Sequence, residues 1–287
     1  MFSILIPSYN NLDYLKLCIK SIIENSKFNH QIIIHVNEGT DGTLDFLNYS
    51  NIEFTYTKYN AGVCEGVNKA SKLAKHEYFL YSHDDFYFCP NWDEYFYNEI
   101  NLINHNNFYL SGTMMNNGQI PFDCGDNIKN FDEKKFLSKY KDFNYYDFNG
   151  STWSPTLVHK NVWNRVGGFS EEFFPGHGSD PDFNMKLWNI GVRIFKGINN
   201  CKVYHFGSMT LRKKINVIKK DKNYGSVGSK IFLLKWGFTI KFFKKFYLKS
   251  NTIYDGPLQK PKINFIYIFQ YILNKINYFY IKLFYKK

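Results

Sequence analysis

Cysteine is scarce and unpatterned. The 287-residue chain has five, Cys18, Cys64, Cys89, Cys124 and Cys201, with no Cys-x-x-Cys pair. That argues against a zinc cluster or a disulfide framework and for a reducing compartment. No run is long and charge-free enough to span a bilayer. The N-terminus, Met1-Phe-Ser-Ile-Leu-Ile-Pro7, lacks the basic residues that open a secretion signal, so it reads as a first strand. No internal repeat is present. Acid is almost missing from one part of the chain: residues 196–287 hold 2 Asp+Glu against 20 Lys+Arg, whereas residues 1–195 hold 23 against 16. The net charge of +11 is therefore an acidic body joined to a basic tail. Such a tail suits a polyanionic surface, membrane or nucleic acid. Hydrophobic residues make up 44%, which excludes global disorder, and the length suits one large α/β domain or a domain with an appendage.

Strand-like and helix-like stretches alternate through the first 85 residues. Ser3 to Pro7 predicts a buried strand, and Leu12, Leu15, Ile19, Ile22 and Ile23 a helix capped by Asn11 or Asp13. Strands follow at Gln31 to Val36, Ile52 to Thr57 and Tyr78 to Tyr81, with helices at 43–48 and 63–74 between them. The alternation implies a parallel, doubly wound sheet whose loops after strands one, two and four share an edge. Further on come a helix at 91–104, a strand at Tyr109 to Met114 and a polar stretch, 116–146, that reads as a variable insertion. A strand at Thr156 to His159 and helices at 161–166 and 183–190 follow, the last closed by Gly191. Val192 to Phe195 and Lys202 to His205 read as two more strands.

The fourth strand ends abruptly in two carboxylates, Asp84 and Asp85. Open α/β sheets bind ligands at such strand ends, and neighbouring carboxylates suit a divalent cation shared with substrate phosphates. The plain alternative is that they open a turn or cap the next helix.

The ordered set decides between these. Ser3-Ile-Leu-Ile-Pro-Ser-Tyr-Asn10, Glu38-Gly-Thr-Asp-Gly-Thr43, Asn60-Ala-Gly62 with Asn68, His83-Asp-Asp85, Val166-Gly-Gly-Phe169, Ser179-Asp-Pro-Asp182 and Val203-Tyr-His205 together resemble the family 2 glycosyltransferases of the GT-A fold over residues 2–210. The resemblance implies a metal-dependent transfer of sugar from a nucleotide-sugar donor to an acceptor hydroxyl, with inversion. By position it implies that Pro7, Ser8 and Tyr9 line the nucleoside pocket, joined by Asn60 and Asn68, with Glu38 near the base and Asp84 near the ribose. Asp85 matches the direct ligand of Mn²⁺ or Mg²⁺, His205 a late histidine that completes the metal or diphosphate site, and Asp180 the general base. Trp153 is either a core aromatic or a sugar-stacking platform, and Asp182 a candidate acceptor contact. The chain departs from the pattern where Asn37-Glu38 replaces two aspartates, where His83 replaces Asp or Asn, and where Ser179 replaces a glutamate.

The chemistry needs these types. A cation offsets the charge of a departing diphosphate, and a carboxylate must take the acceptor proton. A helix N-terminus would lower the pKa of Asp180 and an apolar surrounding would raise it; the sequence leaves both open. A sugar-phosphate nucleotidyltransferase, or an inactive carbohydrate- or nucleic-acid-binding relative, is the alternative reading. The former should carry a Gly-rich, Arg-containing loop in place of Pro7-Ser-Tyr-Asn10.

The domain boundary is set at 215/216, with a basic, aromatic, helical extension beyond it. From Trp236 to Lys249, helical projection puts Trp236, Ile240, Phe243 and Tyr247 opposite Lys235, Lys241, Lys245 and Lys249. Such a helix either lies on an anionic membrane or packs on the catalytic domain with its lysines in water. A second, more apolar helix runs from Ile263 to Tyr285, with Asn274-Lys275 in its middle. The expectation is a cytoplasmic enzyme, on the inner membrane face if the tail binds lipid, with a glycan or lipid-linked acceptor. No nucleic-acid-binding module is present.

Overall fold

The structure, a computed structural model, describes residues 1–150, 153–207 and 224–284. The expected domain boundary at 215/216 lies outside them. Among the described residues nine strands form one mixed sheet. β1 (Phe2–Tyr9) has β2 (Gln31–Asn37) parallel on one side and β4 (Tyr78–Tyr81) parallel on the other. β3 (Glu53–Thr57) extends the parallel half beyond β2. This half is the doubly wound arrangement that the alternation predicts.

The other half is not. β8 (Thr156–His159) is antiparallel to β4 and to β6 (Phe108–Asn116), and β6 runs parallel to β9 (Ile194–His205). The two expected strands at 192–195 and 202–205 are one strand, β9, whose register with β6 shifts between Ser111 and Thr113. β5 (Phe86–Phe88) pairs antiparallel with β9 and was not expected as a separate strand. Its register sets Phe86 opposite His205, so it brings the two ends of the catalytic sequence together. β7 (Phe148–Asn149) also joins β9.

Side chains alternate across β1 because successive strand residues face opposite ways. Ile4 and Ile6 pack with Leu15, Cys18, Ile19 and Ile22 of α1 (Leu12–Asn25) and with Trp92 and Phe96 of α4 (Trp92–Ile103). Leu5 faces α3 (Gly62–Ser71), through Cys64 and Val67, and α7 (Ser179–Asn189), through Phe183 and Leu187. The stretch read as a variable insertion is more ordered than that. It forms α5 (Glu133–Lys139), and its Phe122, Phe136 and Tyr140 pack against Tyr14, Tyr87 and Tyr204.

The basic tail belongs to the same core. The expected helix from Trp236 to Lys249 breaks at Gly237, whose φ of +77° is left-handed. Trp236 instead ends a helix that the sequence did not predict, α8 (Tyr224–Trp236), and the expected one shortens to α9 (Ile240–Phe246). Phe232, Phe238, Phe242, Phe243 and Leu248 are buried with the α7 residues, so packing on the body takes up the apolar face of α9. Burying each such side chain is worth roughly 1.5–3 kcal/mol. α10 (Phe265–Phe284) packs on α8 and α9, where Asn274 accepts the Thr239 N–H at 2.6 Å. No helix among the described residues is long and apolar enough to cross a membrane.

α8 passes so close to the 176–178 loop that a Cβ at Gly228 would strike the His177 carbonyl oxygen. In a free helix alanine is better than glycine by about 1 kcal/mol. Here Gly228→Ala should instead destabilise by about 1–3 kcal/mol through overpacking, seen as a lower urea midpoint at unchanged m. A raised midpoint would show that α8 does not press on that loop.

Candidate active site

The C-terminal ends of β1 and β4 and the N-terminal ends of α3 and α7 surround a cavity of about 390 Å³. Pro7, Ser8, Tyr9, Asn60, Asp84, Asp85, Trp153, Asp180 and His205 all line it. Glu38, Asn68 and Asp182 do not.

Asp84 and Asp85 are buried, at 7% and 2% exposure. The Ser8 hydroxyl donates to Asp84 Oδ2 at 2.7 Å. Burial, and then the charge of Asp85, push the Asp84 carboxyl well up from its usual range. Asp85 lies between two imidazoles: His205 Nε2 is 3.7 Å from Oδ2, and His83 Nδ1 is 4.0 Å from Oδ1. Ligand atoms of the three lie within 4.8 Å of one another. His205 Nδ1 sits 3.1 Å from the Asn117 carbonyl, which can only accept, so that nitrogen donates and Nε2 is the atom turned to Asp85. Burial lowers His83 to about 4, which holds it neutral, the form that binds metal. The donor set fits a divalent cation: the carboxylate suits Mg²⁺ and Mn²⁺ alike, and the imidazoles suit the transition metal better.

His83 joins the cluster unforeseen by the sequence reading, although its place beside Asp84-Asp85 is the signal. Asn37 was also missed. It is the last residue of β2, lines the cavity, donates to the Ser8 carbonyl (3.2 Å) and accepts from Ala61 N–H (2.8 Å). Glu38, expected near the base, has a left-handed φ of +62°, and its carboxylate meets Asn10 Nδ2 at 3.4 Å. Asn68 is occupied elsewhere too: it exchanges hydrogen bonds with the backbone of Phe169, both at 2.9 Å, and so ties α3 to the Gly167-Gly168 turn. Asn60 accepts from Gly62 N–H at the start of α3.

Asp180 enters the cavity from the first turn of α7, after Gly178 at φ +88°. Its Oδ1 is enclosed with no hydrogen-bond partner among the described residues. Burial raises its pKa to about 7 against the opposing pull of Lys244. Asp182 is fully buried and points away. Its Oδ1 accepts from Trp236 Nε1 at 2.8 Å and lies 3.0 Å from Lys235 Nζ, so it anchors α8. Trp153 is 47% exposed, with Lys244 Nζ 4.7 Å above its ring, so it is no core residue.

Residues 3–153 match a family model described as glycosyl transferase family 2. The chain is 35% identical over 107 residues to an uncharacterised glycosyltransferase of Rickettsia typhi, across 36% of this chain and 32% of that protein. It is 25% identical over 236 residues to a hyaluronan synthase of Pasteurella multocida, across 77% of this chain and 22% of the synthase. The chain thus spans about a fifth to a third of these curated relatives. The crystal structure of S. aureus TarS 1–349 in complex with UDP aligns with a TM-score of 0.52 at 17% identity, covering 71% of this chain and 59% of that one. That likeness shows the fold, the GT-A arrangement expected from the sequence.

A carboxyl whose folded pKa is raised weakens the fold as pH climbs from its unfolded value, about 3.9, through its folded value. Asp180→Asn should therefore stabilise the protein by about 1–3 kcal/mol at pH 8 and by much less at pH 4. Urea titrations at both pH values measure this; equal effects would mean that Asp180 is not held against ionisation.

Proposed function

The chain belongs to glycosyl transferase family 2, and from that premise we propose that it moves a sugar, with inversion, from a nucleoside-diphosphate donor to an acceptor hydroxyl. One observation carries the reading: a single cavity holds the Ser8-bonded Asp84, the His83–Asp85–His205 cluster and, at the head of α7, the carboxylate Asp180. Pro7, Ser8, Tyr9, Asn37, Asn60 and Asp84 form the nucleoside wall. Asp180 takes the acceptor proton as that oxygen attacks the anomeric carbon and the bond to the diphosphate breaks on the far side. One displacement with one base needs no covalent intermediate. A divalent cation on His83, Asp85 and His205 would offset the charge left on the diphosphate, and two imidazoles favour Mn²⁺ over Mg²⁺. The TarS complex makes UDP the first nucleotide to test. The likeness to a hyaluronan synthase supports a role in surface polysaccharide or glycolipid synthesis.

The membrane reading moves from α9 to α10. Phe265, Phe269, Ile272, Ile276, Phe279 and Leu283 of α10 are all exposed, with Lys275 and Lys282 among them. That composition supports contact with the anionic inner face of a membrane. Flotation should recover the chain with anionic vesicles, less with neutral ones, and neither after Phe269→Glu/Ile276→Glu; undiminished recovery of the variant would refute this contact.

UDP at about 100 times its Kd should add roughly 2.7 kcal/mol of stability, more tightly with Mn²⁺ than with Mg²⁺, and Asp85→Ala or His83→Ala should erase the difference between the metals. The kcat/KM profile should rise through one ionisation near the Asp180 value of about 7 and level off above it. Lys244→Met should move that limb to higher pH, because the neighbouring cation favours the ionised base. A flat profile between pH 5 and 9 would remove Asp180 from the role.

A further inference from the structure

Beside the catalytic cavity lies a second, shallower groove of about 560 Å³, lined by Lys241, Lys244, Lys245, Lys249, Ser250 and Thr252. Lys244 borders both spaces, since its Nζ lies over the ring of Trp153 on the cavity wall. We propose that this groove is the subsite for an acceptor bearing repeated negative charge, a phosphate- or carboxylate-containing glycan, whose terminal hydroxyl passes Trp153 to reach Asp180. The proposal rests on the glycosyl-transfer reading and names its acceptor class.

Two observations support it. The groove is built rather than fortuitous. Ser250 N–H donates to the Lys244 carbonyl at 2.9 Å, and Asn149 Nδ2 donates to Thr252 Oγ1 at 3.0 Å and to the Ile253 carbonyl at 2.9 Å. Gly150, at φ +79°, lies so tightly against Ser250 that no Cβ fits. The turn after α9 is thus stitched to β7, the strand that leads towards Trp153. Its charge is also left over: of the four lysines only Lys249 is ion-paired among the described residues, 4.0 Å from Asp255.

The same lysines could face lipid headgroups, but α9 is built against it. A helix that lies on a membrane inserts its apolar face, and Phe242, Phe243 and Leu248 are buried in the protein. The exposed apolar face belongs to α10.

The test uses the full chain with inorganic polyphosphate, neutral dextran and phosphatidylglycerol vesicles, and reads binding by calorimetry. Polyphosphate should bind, dextran should not, and salt should weaken the complex. Lys241→Gln/Lys245→Gln/Lys249→Gln should lose about tenfold or more in polyphosphate affinity while binding UDP with Mn²⁺ and the vesicles as before. Removing the same charge at Lys260, Lys262 and Lys282 should cost far less. Equal losses in the two triple variants, binding of dextran, or a first triple variant that loses vesicles and keeps polyphosphate would each overturn the subsite. Failure of the unaltered chain to bind UDP with Mn²⁺ would instead strike the donor reading, with the polyphosphate result unaffected.

Discussion

Two like charges forced together organise this molecule. Asp84 and Asp85 are adjacent in sequence and both buried, where water cannot screen their repulsion. Such a pair stays ionised only if something positive or hydrogen-donating meets it. Ser8, from the loop end of β1, meets Asp84. Two imidazoles, one from the residue before the pair and one from the end of β9, stand beside Asp85 as donor atoms that a cation would share with it. The short β5 exists in the sheet where it can hold β9 in the register that delivers His205. The topology of the antiparallel half is thus the means by which a histidine 120 positions downstream arrives at the two carboxylates that end β4.

The tail completes this arrangement rather than decorating it. Asp182 fastens α8 through Lys235 and Trp236, and Gly228 lets α8 press on the 176–178 loop from which α7 begins. Asp180, at the start of α7, is therefore held by residues some fifty positions further along. α9 adds the cation that limits how far burial can raise its proton affinity.

Much of this was legible in the chain. The buried strands, the Asp-Asp ending and the acid at a helix start are local patterns, and local patterns survive without tertiary knowledge. What failed was direction. Asp180 and Asp182 sit two residues apart on a helix, roughly 200° around it, so only one of them can face the cavity; the helical angle alone would have removed Asp182 from the acceptor site. Glu38 sits at a left-handed position of the turn, where its carboxylate meets Asn10 and not the cavity wall. Asn68 looked like a pocket residue but satisfies the backbone at Phe169, more than a hundred positions away. The periodicity that starts at Trp236 runs across Gly237, whose left-handed backbone ends one helix there and lets the next begin at Ile240.

The contact between Lys244 and Trp153 has a consequence for how such enzymes diversify. The matched family stretch stops at residue 153, yet the cation above that tryptophan comes from α9. A chimera that exchanged the carboxy-terminal helices would lose that cation from both the Trp153 ring and the neighbourhood of Asp180. Recombination downstream of the sheet therefore cannot trade the surface beside Trp153 without also resetting the proton affinity of Asp180.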